Sequence, residues 1–226
     1  KRLGYDDFKV LSGELAQLPS AHIPTIFNAI RTGEPYPVRT GFIFGNNALS
    51  TYGDVKTVFE TLMALDYLVV AELYMTPTAE IADLILPVAT WAEVDALPAV
   101  PFYGQNVIMA QQKTFQYAEC KQDEDIMVEI CRRLGTEHGQ ESPQEVYDSM
   151  LRSTLDFGWE ELKQMGFYEP EFKWQKYKEN GFDTPTRKIE LYSTRLQELG
   201  YDPLPYYEEP PESPYSTPEL AHEFPL

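Results

Sequence analysis

The chain has 226 residues, 43% of them hydrophobic, which allows one buried core of ordinary size plus a long tail or a second small unit. Its 18 basic and 36 acidic residues give a formal charge of −18, a surface that repels phosphate backbones. Nucleic acid is excluded as a partner on that ground; a mononucleotide held by backbone amides and by groups that read its base and sugar is not.

Cys120 and Cys131 form no cluster, and His22, His138 and His222 are scattered without HxxxH or HExxH spacing, so no metal site is read. Both cysteines read as small apolar residues at helix edges. No apolar run approaches the roughly 20 residues of a membrane span, so no membrane insertion is expected of this segment. The chain opens Lys1-Arg2-Leu3 without a Met and closes on Phe224-Pro225-Leu226 just as an apolar stretch begins. We read it as an excised piece. A missing signal peptide is then uninformative, and a prokaryotic cytoplasm or periplasm both stay open.

In chain order, residues 1–35 predict short helical stretches. Ile23–Arg31 is the clearest, following His22, with Pro24 in its first turn and Thr32-Gly33 as a stop. Val38–Phe44 is a short run of β-formers and predicts a strand ended by Gly45-Asn46-Asn47. In Asp54–Leu65, Val55, Val58, Phe59, Leu62 and Leu65 recur at helical spacing; Ser50, Thr51 and Asp54 are the candidate N-caps. Tyr67–Ala71 is nearly all apolar, as a strand buried on both faces reads. Strand, helix, strand makes a βαβ unit with a right-handed crossover. Ala79–Asp83 predicts about one helical turn, and Leu84-Ile85-Leu86 a third strand ended by Pro87.

Residues 95–120 look irregular, with a hairpin around Val107–Met109. Glu124–Leu134 predicts a helix closed by Gly135 and packed on the sheet. Ser142-Pro143-Gln144-Glu145 is a capping-box pattern opening a helix to about Thr154, and Trp159–Met165 predicts another. Thr184–Tyr192 suggests a turn and a strand. Seven of the 18 prolines follow residue 200, among Tyr and Glu, and favour an extended linker. The fold expected is α/β: a Rossmann-like short parallel sheet flanked by helices, with an irregular Pro-rich tail.

Ligands of open α/β sheets bind beyond the carboxyl ends of the strands. The first strand delivers Gly45-Asn46-Asn47 there and the second Ala71-Glu72. Gly45 lets a ligand approach the backbone. Asn47 can bond a base, sugar or phosphate, and Glu72 sits where nucleotide folds grip ribose hydroxyls. A carboxylate also accepts two bonds from the N–H edge of guanine. Plainer readings stay open beside these: a simple turn for Gly45-Asn46-Asn47, a solvated acid for Glu72, an N-cap for Asp123.

Read in order, these segments resemble the third domain of bis(molybdopterin guanine dinucleotide) oxidoreductases, the dimethyl sulfoxide reductase family. The stretch from Asp66 to Glu93 carries the likeness through its buried strand, the acid Glu72, Thr78-Ala79, Ala82-Asp83, Leu86-Pro87, Trp91 and Glu93. Gly33-Glu34-Pro35-Tyr36-Pro37 is similar to the family's Gly-x-Pro-Tyr-Pro, and Thr184–Ser193 to the segment before its fourth domain. The resemblance implies a domain that helps hold the guanosine end of a molybdopterin guanine dinucleotide, with Gly45, Asn47, Ala71, Glu72 and Asp123 at the matching positions. Three departures stand out: Ala48 replaces a usual Pro, Val94 a Lys found in some members, and Leu97-Pro98-Ala99-Val100-Pro101 an Asn-x-Glu-Gly-Arg segment.

The resemblance places the molybdenum ligand and any iron–sulfur motif upstream. It makes residues 1–180 part of the third domain, and 181–226 a strand/turn segment and linker toward a dinucleotide-binding domain. The parent would be an enzyme and this piece inactive, with no cofactor bound on its own. Its partners would be the remaining domains of the parent chain, with an iron–sulfur electron-transfer subunit as a candidate. Two readings compete: a stand-alone Rossmann-like nucleotide-binding or interaction module, and an inert scaffold whose acids form a solvated face.

Overall fold

The computed structural model describes residues 1–14, 16, 20–98, 107–136, 142–211, 213–220 and 222. His138, the 99–101 stretch and Phe224-Pro225-Leu226 lie outside them. Two compact units are distinguished, Lys1–Phe172 and Lys173–Leu226.

In the first unit, helix α1 (Ile23–Thr32) has Pro24 in its opening turn, where a missing N–H costs nothing. Gly33 ends it at φ 75°, returning its N–H to Ala29 O. Strand β1 (Thr40–Phe44) follows, then a single turn, α2 (Ala48–Thr51), that the sequence reading lacked. Helix α3 (Val55–Met63) is capped by Asp54, the third of the candidates, whose carboxylate accepts from Thr57 N–H at 3.2 Å. Strand β2 (Tyr67–Glu72), the turn α4 (Pro77–Glu80) and strand β3 (Leu84–Pro87) complete the sheet.

The three strands lie in the order β1-β2-β3, all parallel. Thr40 to Phe44 stand opposite Tyr67 to Ala71, and Val69 to Glu72 opposite Leu84 to Pro87. This is the parallel pairing of adjacent strands that the alternation of elements predicts. One core cluster joins Val58 and Leu62 of α3 to Leu68 and Val70 of β2, with Ala48 and Ala79 filling the space near the short helices. Asp83 fastens the entry to the sheet: its carboxylate accepts from Leu68 N–H (2.7 Å), and its own N–H donates to Leu68 O (2.9 Å). The Ala82-Asp83 motif is therefore a strand tie.

Helix α5 (Asp123–Arg133) buries only Ile126 fully. Helices α6 (Pro143–Arg152) and α7 (Trp159–Met165) form a second cluster around Tyr147, Leu151, Trp159 and Leu162. Ser142 caps α6 by accepting from Glu145 N–H, and Asp148 joins the two helices by accepting from Trp159 N–H at 2.9 Å. The hairpin expected near Val107 is not local. Strand β4 (Ile108–Met109) pairs antiparallel with β5 (Phe167–Tyr168), which follows α7. Local composition could not reveal a partner nearly 60 residues away.

In the second unit, helix α8 (Tyr177–Asn180) and helix α9 (Thr194–Leu199) are short. The expected strand in Thr184–Tyr192 does not form among the described residues. A turn does, closed by Arg187 N–H on Thr184 O and Phe182 N–H on Arg187 O. The Glu190 carboxylate then accepts from Thr186 N–H and from the N–H and hydroxyl of Thr194, so its chain stays curled against α9. From Tyr201 on, the described residues contain turns and one 3₁₀ turn at Pro218–Leu220, with no α-helix or strand. Among the described residues no helix is long and apolar enough to cross a membrane.

Leu162 is 0% exposed and Leu191 83% exposed. Denaturant unfolding should show Leu162→Ala losing about 2–5 kcal/mol and Leu191→Ala changing by less than about 0.5 kcal/mol. Equal losses for the two would contradict the placement of the second cluster.

Candidate functional site

Parallel pairing sends the chain out of all three strands at one edge. β1 leaves through Gly45-Asn46-Asn47, β2 ends on Glu72, and β3 runs on into Val88. Val88 bridges in parallel to Lys121, and Ala89 N–H donates to Lys121 O at 2.9 Å. That bridge brings Gln122 and Asp123 to the same edge.

Gly45 has φ +56°, and a Cβ there would meet nothing within 4 Å, so the left-handed backbone rather than crowding calls for glycine. Asn47 is turned inward. Its Oδ1 accepts from the Thr78 hydroxyl (2.8 Å), and its Nδ2 donates to Ser50 Oγ (2.9 Å). Thr78 Oγ1 in turn accepts from Leu49 N–H at 3.1 Å. The loop after β1 is thus sewn to α4 by a fully buried threonine. Among the described residues Asn47 keeps one amide N–H for other use, since its NH₂ carries two donors. Ala71 is buried between Phe44 and Leu86 and offers the site only a small side chain in a packed strand.

The two acids differ from Asn47. Glu72 is half-buried; Oε1 accepts from Leu73 N–H at 2.7 Å, and the other oxygen has no hydrogen-bond partner among the described residues. Asp123 is not the N-cap of α5. Gln122 holds that position, and Asp123 is the first helical residue, its carboxylate unbonded among the described residues. Burial, then the charges of Glu124 and Glu72, push the Asp123 carboxyl above the usual carboxylate range. Glu72 and Asp123 therefore lie close enough to repel, and no described cation neutralises them.

Beside Asp123 a cleft of about 420 Å³ opens between the end of β1, α5 and α6, walled by Phe44, Met127, Val146 and Tyr147. The Tyr147 hydroxyl is buried near Gln122 and Glu124 without hydrogen-bond geometry to either, and burial followed by the Glu124 charge raises its pKa. Among the described residues no group of three or more His, Cys, Asp or Glu could hold a metal ion.

Two residues had no role assigned from sequence alone. Thr78 was visible only within its Thr-Ala motif; its fastening of Asn47 depends on a contact 31 positions away. Glu93, 6% exposed, accepts from the N–H and hydroxyl of Thr90 and from Tyr117 N–H, so it ties Thr90 to Tyr117. Trp91 beside it is exposed.

Comparison with known proteins matches residues 12–133 to the molybdopterin oxidoreductase family model. Acetylene hydratase of Syntrophotalea acetylenica is 34% identical over 212 residues, covering 91% of this chain and 28% of the relative. Formate dehydrogenase H of Escherichia coli K12 is 28% identical over 136 residues, 58% of this chain and 19% of that protein. The solved acetylene hydratase from Pelobacter acetylenicus superposes with a TM-score of 0.80 at 29% identity, covering all of this chain and 34% of that one. An open parallel α/β unit with an acid-bearing carboxyl edge is thus seen here in a particular setting. The chain belongs to the molybdopterin oxidoreductase family, in its dimethyl sulfoxide reductase branch, and spans about a quarter to a third of the acetylene hydratases it matches.

Two outcomes test this geometry. Thr78→Val should cost about 1–3 kcal/mol, because it leaves Leu49 N–H and Asn47 Oδ1 without their partner, and Thr78→Ser should recover most of it; unchanged unfolding of the Val variant would refute the tie. The backbone N–H groups of Thr90 and Tyr117 hold the Glu93 carboxyl below its ordinary range. A depressed folded-state pKa stabilises the fold above the unfolded value and is lost as pH falls through the folded value. Glu93→Gln should therefore lower the Tm at pH 7, with the gap to wild type closing below about pH 4.

Proposed function

We propose that this chain is part of a larger molybdenum enzyme, in which it helps to hold the guanosine end of a molybdopterin guanine dinucleotide and turns over no substrate by itself. The observation that carries this reading is the pair Glu72 and Asp123. They reach one edge from β2 and α5, repel each other, and keep acceptor oxygens unused. Such a pair suits a partner that presents hydroxyls or an N–H edge, as a ribose and a guanine do. It does not suit phosphate, which the −18 charge also opposes. The phosphates, the pterin and the metal then rest on the other domains, and the metal–pterin end supplies the reactive centre.

Within this reading Glu72 accepts from ribose hydroxyls or the guanine edge, and Asp123 does the same. Asn47 contributes its remaining N–H and, through Thr78, a fixed loop. Gly45 provides the turn that leaves the backbone open, and Ala71 the small residue before the acid. Partners are the remaining domains of the parent chain and, beyond them, an iron–sulfur electron-transfer subunit. The relatives named above include a hydratase and a dehydrogenase, so the nucleoside-holding role is proposed without a substrate for the parent.

In the full-length enzyme, Glu72→Ala should lower the guanine nucleotide and molybdenum recovered per chain, since an unpaired buried polar group costs about 1–3 kcal/mol. Asp123→Asn should separate two effects. The raised carboxyl destabilises the cofactor-free fold at pH above its unfolded value, so the Asn variant should melt higher without cofactor yet retain less of it. Full molybdenum loading and unchanged activity in both variants would leave the two acids as surface groups and reject the site.

A further inference from the structure

We propose that Tyr147 is a positioning residue for the nucleoside site: its hydroxyl draws the Glu124 carboxylate toward α6 and so keeps that charge away from Asp123. This rests on the reading that Glu72 and Asp123 grip a guanosine.

The Tyr147 ring is held firmly. It is 6% exposed and packs on Trp159 with ring centroids 5.1 Å apart. Asp148, the next residue, accepts from Trp159 N–H and from Arg152 Nε, both at 2.9 Å, and Arg152 also donates to Glu161 at 3.1 Å. α6 and α7 therefore fix the hydroxyl beside the first turn of α5. A buried phenol hydroxyl normally has a hydrogen-bond partner; this one has none and is sealed from solvent. A ligand in the adjoining cleft meets the ring and cannot reach the oxygen, so the hydroxyl acts through a neighbouring side chain.

On the α5 side that neighbour is Glu124 or Gln122. Gln122 is buried and fixed at the N-cap, whereas Glu124 is exposed, lines the cleft and is free to turn. Among the described residues the Glu124 carboxylate has one long hydrogen bond, 3.5 Å from Gln122 Nε2. A turn of this side chain toward α6 gives the hydroxyl an ionised acceptor, and such bonds are stronger than neutral ones. A turn the other way meets repulsion. After burial, the Glu124 charge is the next cause that lifts the Asp123 carboxyl, followed by that of Glu72 from β2. Asp125, in the same turn, also lies near the hydroxyl, but Lys121 and Lys113 offset its charge. Holding Glu124 toward α6 thus favours an ionised Asp123, the better acceptor for an N–H edge or a ribose hydroxyl.

The test is the pH at which the full-length enzyme loses half of its guanine nucleotide. Tyr147→Phe keeps the ring and removes only the oxygen. Glu124 can then approach Asp123, which protonates at a higher pH, so the midpoint should rise by about one unit. In a Glu124→Gln background there is no charge to hold back, and Tyr147→Phe should move the midpoint by less than about 0.3 unit. Glu124→Gln alone disturbs no core packing and should lower the midpoint. Equal shifts from Tyr147→Phe in both backgrounds would assign Tyr147 to packing and overturn the proposal. A midpoint that neither single variant moves would overturn it as well. A wild-type enzyme that releases no guanine nucleotide on denaturation rejects the nucleoside site itself, and this role of Tyr147 with it.

Discussion

Because β2 pairs in parallel with a strand on each side, the loops after β1, β2 and β3 all leave from one edge. Every residue of the candidate site owes its position to this. Glu72 is the last residue of β2, Asn47 follows the end of β1, and Asp123 arrives through the Lys121 bridge beside β3. An antiparallel partner on either side would have sent one of these groups to the far end of the sheet. The near-continuous apolar run Leu68-Val69-Val70-Ala71 makes the arrangement stable, since a central parallel strand must bury both faces.

Around that frame, motif residues that look chemical mostly hold the chain in place. Asp83 ties β3 to β2, Thr78 ties the β1 loop to α4, and Glu93 ties Thr90 to Tyr117. Their hydrogen bonds are to backbone or buried groups and are already made. Glu72 and Asp123 stand apart because their acceptors are largely unspent and their like charges repel. A carboxylate whose bonds are satisfied within the fold has little left for a ligand, and this contrast separates structural acids from candidate binding acids here.

The three sheet strands and the helices at Ile23, Val55, Pro143 and Trp159 were legible because each rests on local signals: periodicity, a capping residue or a glycine stop. The N-cap of α3 needed the structure, since Ser50, Thr51 and Asp54 all qualify by residue type. What was not legible depends on distant contacts. The β4–β5 pair joins positions 108 and 168, and the run at Thr184–Tyr192 has β-forming residues but, among the described residues, no strand to pair with. In the site, Gly45 and Glu72 could be placed at the edge from the order of elements. The inward turn of the Asn47 amide could not, because Thr78, 31 positions away, settles it, and the freedom of Asp123 from capping could not, because Gln122, one residue earlier, takes the cap position although Asp is the residue type that position favours.

Helix α5 carries Asp123 yet sinks only Ile126 fully into the interior, while the sheet carrying Glu72 is packed through its own cluster of short-range contacts. The two acids thus ride on parts of unequal cohesion. Local opening draws first on elements with few buried apolar contacts, so α5 can detach while the sheet stays intact. Detachment would part the carboxylates, relieve their repulsion and take one wall from the adjoining cleft. Any ligand that spans both acids would then act as a staple, converting a loosely moored helix into part of the rigid body.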